Sequence, residues 1–324
     1  MKKKVFLSFL IVCWISISAS ALSLSDVSAK IWLSYTYFDA NDSSTYSSID
    51  KDLYEIYLAT LNFTGELYKD IDGKFVLYFE DSEDKLTIDE LSVNFKNVFT
   101  PEFSILVGRS YVPFGLENKN VEGQKNTLRS SPEYWWTWVT SNMINAKYEM
   151  EDLVNINLTF FEGIDTYSEI TSANRLIDNY SIKIDGYIPL PIGEKVLLAS
   201  ASFGKGLSFT DKKDFSIGLL YTCPFIKGAQ ASIEYLNIKD YLITAGVAPV
   251  SEKIYGLYAG YEWNSWLFSG RYSKLKETKI NQYRLDASYK INDKMGITAE
   301  YGKGRVTEQL NSSKWFQLAL KSNF

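Results

Sequence analysis

Histidine is missing from all 324 residues of the chain. Hydrolytic triads and most acid–base sites that work near neutral pH depend on an imidazole, which is also the commonest metal ligand. Its absence argues against an enzyme and leaves no catalytic, cofactor-binding or metal-binding residues to nominate. Cysteine is nearly missing as well, with only Cys13 and Cys223. Cys13 lies in an apolar run near the start, and Val12 before it is not the small residue a lipid-attachment site needs. Disulfides therefore do not hold this fold. There are only 7 prolines, and beyond the start no stretch has the ~18 consecutive apolar residues of a membrane helix. No basic excess is present, so nucleic acid is not an expected partner.

The first residues read as a secretory signal: Lys2, Lys3 and Lys4, an apolar core from Val5 to Ile17, then Ala19-Ser20-Ala21 as the cleavage site. Residues 1–21 are the expected signal peptide and 22–324 the mature chain. Three lysines leave with the signal, so Lys+Arg falls from 34 to 31 against 39 Asp+Glu, a net charge of −8.

What remains is rich in aromatics, 15% of the chain, and apolar in alternation. Tyr283, Leu285, Ala287, Tyr289 and Ile291 share one face, while Arg284, Asp286, Ser288 and Lys290 share the other. After Asn292-Asp293 the pattern resumes with Met295, Ile297, Ala299 and Tyr301, and it closes with Phe316, Leu318, Leu320 and Phe324. A period of two is the mark of a strand with unlike faces. It recurs from Ile31 onward, separated by short turns such as Asp70-Ile71-Asp72-Gly73 and Asn264-Ser265 and by longer polar stretches such as 39–52. Glu80-Asp81-Ser82-Glu83-Asp84 reads as one such connection rather than a calcium site. The charged face needs water and the apolar face does not.

With tyrosine and tryptophan falling at strand ends, these features predict an all-β fold, a transmembrane antiparallel up-and-down β-barrel exported to the cell outer membrane. At roughly 19 residues per strand and connection, the length gives about 16 strands. Fourteen or eighteen stay open because the region 236–253 is ambiguous. An N-terminal plug finds no room before Ile31. A side-chain-filled structural barrel suits a smaller strand number.

The charges on the polar face are the candidate pore-lining residues: Lys74, Glu80, Glu90, Lys96, Lys183, Asp185, Glu234, Glu262, Arg271, Arg284, Asp286 and Glu300. Their signs are mixed, and only six arginines occur in the chain. Weak selectivity or a cation preference is expected, since anion channels rely on rings of Arg and Lys.

The run Ile88-Asp89-Glu90-Leu91-Ser92-Val93-Asn94-Phe95, followed by Ile105-Leu106-Val107-Gly108-Arg109-Ser110-Tyr111-Val112-Pro113-Phe114-Gly115-Leu116-Glu117, resembles the core of the phosphate-selective porin O and P family and related outer-membrane porins. The resemblance implies a trimeric water-filled channel for passive diffusion of ions and small hydrophilic solutes, narrowed by an inward-folded loop. It also implies the surroundings of such a channel: outer-membrane lipid, lipopolysaccharide and the barrel-assembly machinery. Pro113 lacks the donor a ladder needs and ends its strand. The 116–142 stretch after it is the longest without alternation. Arg109, Arg129, Glu133, Tyr134, Trp135 and Trp136 are the candidate constriction residues, although the aromatic cluster reads more readily as packing of the loop against the wall or as a girdle at the start of the next strand. A dedicated channel for a larger or hydrophobic ligand, such as a siderophore or fatty acid, and a non-conducting structural barrel are the alternative readings.

Overall fold

The alternation folds as read. In the computed structural model sixteen antiparallel strands run in chain order around a closed barrel, each paired with its sequence neighbours. The structure describes residues 26–40, 52–80, 85–116, 140–150, 153–162, 179–207, 213–241, 250–277, 279–304 and 313–323. The signal-peptide expectation and Phe324 lie outside them.

The strands are β1 (Asp26–Ala40), β2 (Asp52–Tyr68), β3 (Ile71–Glu80), β4 (Lys85–Phe95), β5 (Phe103–Tyr111), β6 (Thr140–Met150), β7 (Val154–Phe161) and β8 (Asn179–Leu190). They continue as β9 (Gly193–Lys205), β10 (Lys213–Thr222), β11 (Ala229–Tyr241), β12 (Val250–Trp263), β13 (Trp266–Leu275), β14 (Ile280–Lys290), β15 (Met295–Gly304) and β16 (Ser313–Asn323). β1 closes on β16, with Lys30 opposite Asn323 and Ala40 opposite Ser313. Closure leaves no strand edge unpaired, which is what allows a sheet to sit in lipid.

Tight turns occupy one end of the barrel. Asp70, Asn97 and Asn264 hold them with positive φ, a conformation that Asn and Asp tolerate better than most residues. The Asn292 side chain caps another turn by accepting from the Lys294 and Met295 N–H groups. The connections at the opposite end are longer, and the longest, 112–139, follows β5.

The outer face is apolar and exposed: Leu33, Leu91, Ile144, Leu158, Ile184, Leu219, Leu257, Leu285 and Leu318 all stand open. Two aromatic bands border this belt. At the turn end, Trp266 packs on Tyr289 at 4.8 Å. At the loop end, Phe215–Tyr235–Tyr255 and Tyr272–Tyr283 stack across neighbouring strands at 4.9–5.5 Å. An apolar belt between aromatic bands is how a barrel matches a bilayer.

Candidate functional site: the lumen and its inward segment

Just past β5 the chain leaves the wall and turns inside. Gly115 takes φ 73, left-handed backbone that favours glycine. Three inward side chains of the wall hold the backbone of this segment. Ser181 Oγ on β8 donates to the Pro113 carbonyl at 2.6 Å. The Gly115 N–H donates to Ser202 Oγ on β9 at 3.0 Å. The Leu116 N–H donates to Glu234 Oε1 on β11 at 2.5 Å. Ser216 Oγ on β10 also donates to that carboxylate oxygen, at 2.7 Å. Below it, β10 provides no side chain: a Cβ on Gly218 would lie 2.9 Å from Leu116 Cβ.

Around this anchor the inner face changes character. Val112 and Phe114 are fully buried in an apolar cluster with Met143, Phe161, Leu207, Leu236, Ile238, Ile254 and Leu275. Leu236, Ile238 and Ile254 face inward there while Asn237, Lys239 and Lys253 hold the opposite parity, so the apolar residues of β11 and β12 change faces near the loop end. That change of phase is what makes 236–253, which spans the last residues of β11 and the first of β12, ambiguous in sequence.

The rest of the lumen differs between walls. Along β2 to β6 it opens into a cavity of about 940 Å³ lined by Glu66, Asp72, Lys74, Lys96, Glu102, Lys147 and Glu149 together with small polar residues. Local ion pairs order its rim: Lys74 with Glu90 at 2.7 Å, and Lys96 with Asp72 and Lys147 with Glu149 in closer contact. Lys96 lies past the end of β4. Its hydrogen bond to Asp72 holds its ammonium above the usual lysine range, with Glu66 and Asp70 adding attraction.

Across the barrel, β12 to β16 carry a packed polar wall. One row runs Tyr258, Arg271, Arg284, Gly302 and Trp315 across consecutive strands, and the next runs Ser269, Asp286, Glu300 and Gln317. Like charges thus stand directly opposite one another, an arrangement that destabilises a sheet unless something offsets it. Here the aromatic faces do so. Tyr258 lies 5.6 Å from the Arg271 guanidinium and Trp315 lies 5.7 Å from that of Arg284, contacts worth about 2 kcal/mol each when desolvated. Trp315 Nε1 donates to Glu300 at 2.6 Å, Arg284 Nη1 stands 4.0 Å from the same carboxylate, and Ser269 Oγ donates to Asp286 at 3.1 Å.

The residues nominated from sequence therefore fall into separate places. Lys74 and Lys96 line the cavity, with Glu90 buried behind Lys74. Arg271, Arg284, Asp286 and Glu300 are together and buried. Lys183 pairs with Asp185 at 3.3 Å on β8. Glu234 is buried and anchors the inward segment. Glu262 is exposed at the turn-side rim, and Glu80 ends β3 opposite Lys85. Arg109 belongs to the wall and not to the segment after it: it shares the outward parity of Val107, donates to the Ile88 carbonyl at 3.0 Å and reaches Thr140 at 3.3 Å. Arg129, Glu133, Tyr134, Trp135 and Trp136 lie outside the described residues. Sequence reasoning missed Ser181, Ser202 and Gly218. Nothing local marks them, because their partners are distant in the chain.

The solved structures that this chain resembles include porins. A mutant of the Rh. blastica porin superposes with a TM-score of 0.64 at 11% identity, covering 92% of this chain and 99% of that one. A loop-deletion mutant of OmpT, an outer membrane protein of Vibrio cholerae, gives 0.60 at 13% identity over 92% and 98%. The chain has a porin-type fold. At such identities the likeness concerns the fold alone. No family model and no curated protein matches the chain.

Proposed function

We propose that this chain is an outer-membrane porin, a channel for passive diffusion of ions and small hydrophilic solutes. The observation that carries this reading is the closed sixteen-stranded barrel with a lipid-matched exterior, a polar lumen and a chain segment anchored inside it. A barrel of this strand number leaves room for a solute path. The path runs along β2 to β6, where the cavity opens, and the 112–116 segment forms the start of its constriction. Carboxylates outnumber ammonium groups among the charged lining residues, four to three, which favours a weak cation preference over phosphate selectivity. The kinship with the phosphate-selective O and P family rests on the 88–117 run alone. Export by a cleaved 1–21 signal and assembly as a trimer belong to the same proposal.

Purified protein in a planar bilayer is expected to give stepwise conductance, and a salt gradient a small cation-selective reversal potential. Deleting 122–138 is expected to raise conductance. Replacing Glu66 and Glu102 by lysine is expected to move the reversal potential toward anions, and no shift would take the cavity out of the path. A second reading, a non-conducting structural barrel, draws support from the buried β12–β16 wall. Folded, inserted protein without conductance would favour it and overturn the channel.

A further inference from the structure

The charges that β6 and β8 turn into the lumen fall into two parallel rows of opposite sign. Ladder pairing sets Lys147 opposite Asn157 and Asn157 opposite Lys183. Two residues nearer the turn end, it sets Glu149 opposite Asn155 and Asn155 opposite Asp185. Both rows begin in the cavity, whose lining includes Lys147 and Glu149. Both end at the inward segment. The basic row reaches Ser202, which accepts the Gly115 N–H, and the acidic row reaches Ser200 and then Gly218, which Leu116 covers. Because barrel strands are tilted, such rows climb the wall obliquely and make a track from the cavity to the constriction.

The two rows differ in how their polar atoms are satisfied. On the basic row Asn157 Oδ1 accepts from Asn145 at 3.3 Å, and Ser202 holds the segment. On the acidic row three consecutive strands each present a buried oxygen with no hydrogen-bond partner: Asn155 Oδ1, Asp185 Oδ1 and Ser200 Oγ. Lys183 meets only the other oxygen of Asp185, at 3.3 Å, and Lys147 folds onto Glu149 in close contact. Buried polar atoms are nearly always paired. Three adjacent oxygens without donors, beside two carboxylates, suit a solute that brings N–H groups to this row.

We propose that this track binds short zwitterionic peptides, dipeptides above all. The inference rests on the reading of the lumen as a solute path and names the solute class. Length supports the assignment. Rows two residues apart along a strand are separated by ~7 Å, and a dipeptide holds its terminal charges about two residues apart, at ~3.5 Å per residue. Laid across the track, its ammonium faces Asp185, Asn155 and Ser200, and its carboxylate faces Lys183. The resting Lys183–Asp185 pair then gives way to two charge-assisted pairs with the solute, so neither protein charge is stranded. A single amino acid carries both charges on one carbon and reaches one row only, and a pentapeptide overshoots the gap. A simple anion is opposed by the carboxylate row and a simple cation by the lysine row.

The test uses the full-length protein, in neutral-detergent micelles for equilibrium binding and in a planar bilayer for conductance. The probes are diglycine, the neutral acetylglycinamide, the cationic glycylglycinamide, the anionic acetylglycine, glycine and pentaglycine. Diglycine is expected to bind at least fivefold more tightly than each of the others and to interrupt the open-channel current for correspondingly longer. High salt should shrink the difference. Lys183→Gln with Asp185→Asn removes both charges of β8 at constant net charge, and is expected to bring diglycine down to the level of acetylglycinamide. Lys290→Gln with Asp293→Asn, in the turn after β14, is expected to retain the preference. Equal binding of diglycine and any other probe by the wild type overturns the track, as does a folded β8 variant that keeps the preference. The wild-type series decides the matter if that variant does not fold. Conductance is read separately: a channel without diglycine preference refutes the track alone, and a diglycine-binding barrel that does not conduct refutes the channel alone.

Discussion

Removing the Glu234 carboxylate is expected to unseat the inward segment. Its Oε1 accepts the Leu116 N–H at 2.5 Å and the Ser216 hydroxyl at 2.7 Å in a buried setting. A hydrogen bond to a charged group contributes about 1.5–3 kcal/mol, and stranding a buried donor costs a comparable amount. Glu234→Ala therefore weakens the seated state by about 3 kcal/mol. At 1.4 kcal/mol per factor of ten, the unseated fraction rises about a hundredfold. Glu234→Gln keeps a neutral acceptor of about half the strength, costs about 1 kcal/mol and raises that fraction about fivefold. Two assays read the outcome. In single-channel records, transient conductance changes should grow in the order wild type, Gln, Ala. Limited proteolysis should cut within 112–139 at rates in the same order. If Ala and wild type are indistinguishable in both assays, the segment is not held by Glu234. If Gln is as damaging as Ala, a neutral acceptor of the same shape holds nothing and the carboxylate charge is what matters.

Phe114→Ala empties the centre of the lumenal apolar cluster, where the ring is fully buried, and should lower stability by about 3–5 kcal/mol. The loss of heat-resistant folded migration on a gel measures it, and an unchanged midpoint would deny the cluster. Gly302→Val places a Cβ 2.0 Å from the Trp315 indole, which lies beside Arg284. The ring must move and Glu300 loses its 2.6 Å donor, so a shifted tryptophan emission and a cost of about 1–3 kcal/mol are expected. Asp293, in the turn after β14, is held below the usual carboxylate range by its hydrogen bond to Lys290 and by the charge of that ammonium. A depressed carboxylate stabilises the fold above its unfolded pKa, and that stability is lost as pH falls through the folded value. The melting difference between wild type and Asp293→Asn should therefore be present at pH 7, start to shrink near pH ~4 and disappear as the pH falls through the lower folded value. A difference that does not shrink at all between pH ~5 and the most acid pH at which the barrel stays folded would separate it from this ion pair.

Which wall residues touch water was not legible in the sequence. Arg284 and Lys74 occupy equivalent inward positions of alternating strands, yet Arg284 is buried between Trp315 and Glu300 while Lys74 borders an open cavity. The difference arises from neighbours across the ladder that no local window contains. Arg109 was misplaced for a similar reason. Its motif context suggested the loop, but strand parity sets it on the outer face beside Ile88 and Thr140.

Sequence alone determined the period-two faces, turns such as 264–265 and, through length, a strand number of about sixteen, while the turn read at 70–73 closes at 69–70 with Ile71, Asp72 and Gly73 already in β3. All three follow from interactions within a few residues: alternation of side chains about an extended backbone and left-handed Asn and Asp at turns such as 69–70 and 264–265. Tertiary structure decided what lies inside the barrel. The anchors of the inward segment join residues 68 to 118 positions apart, and their placement depends on closure of β1 onto β16 and on the register of every strand between. No local signal encodes such contacts. They left one trace in the sequence, the change of phase that puts Leu236, Ile238 and Ile254 on the inward parity, where the inner face became apolar to receive Phe114.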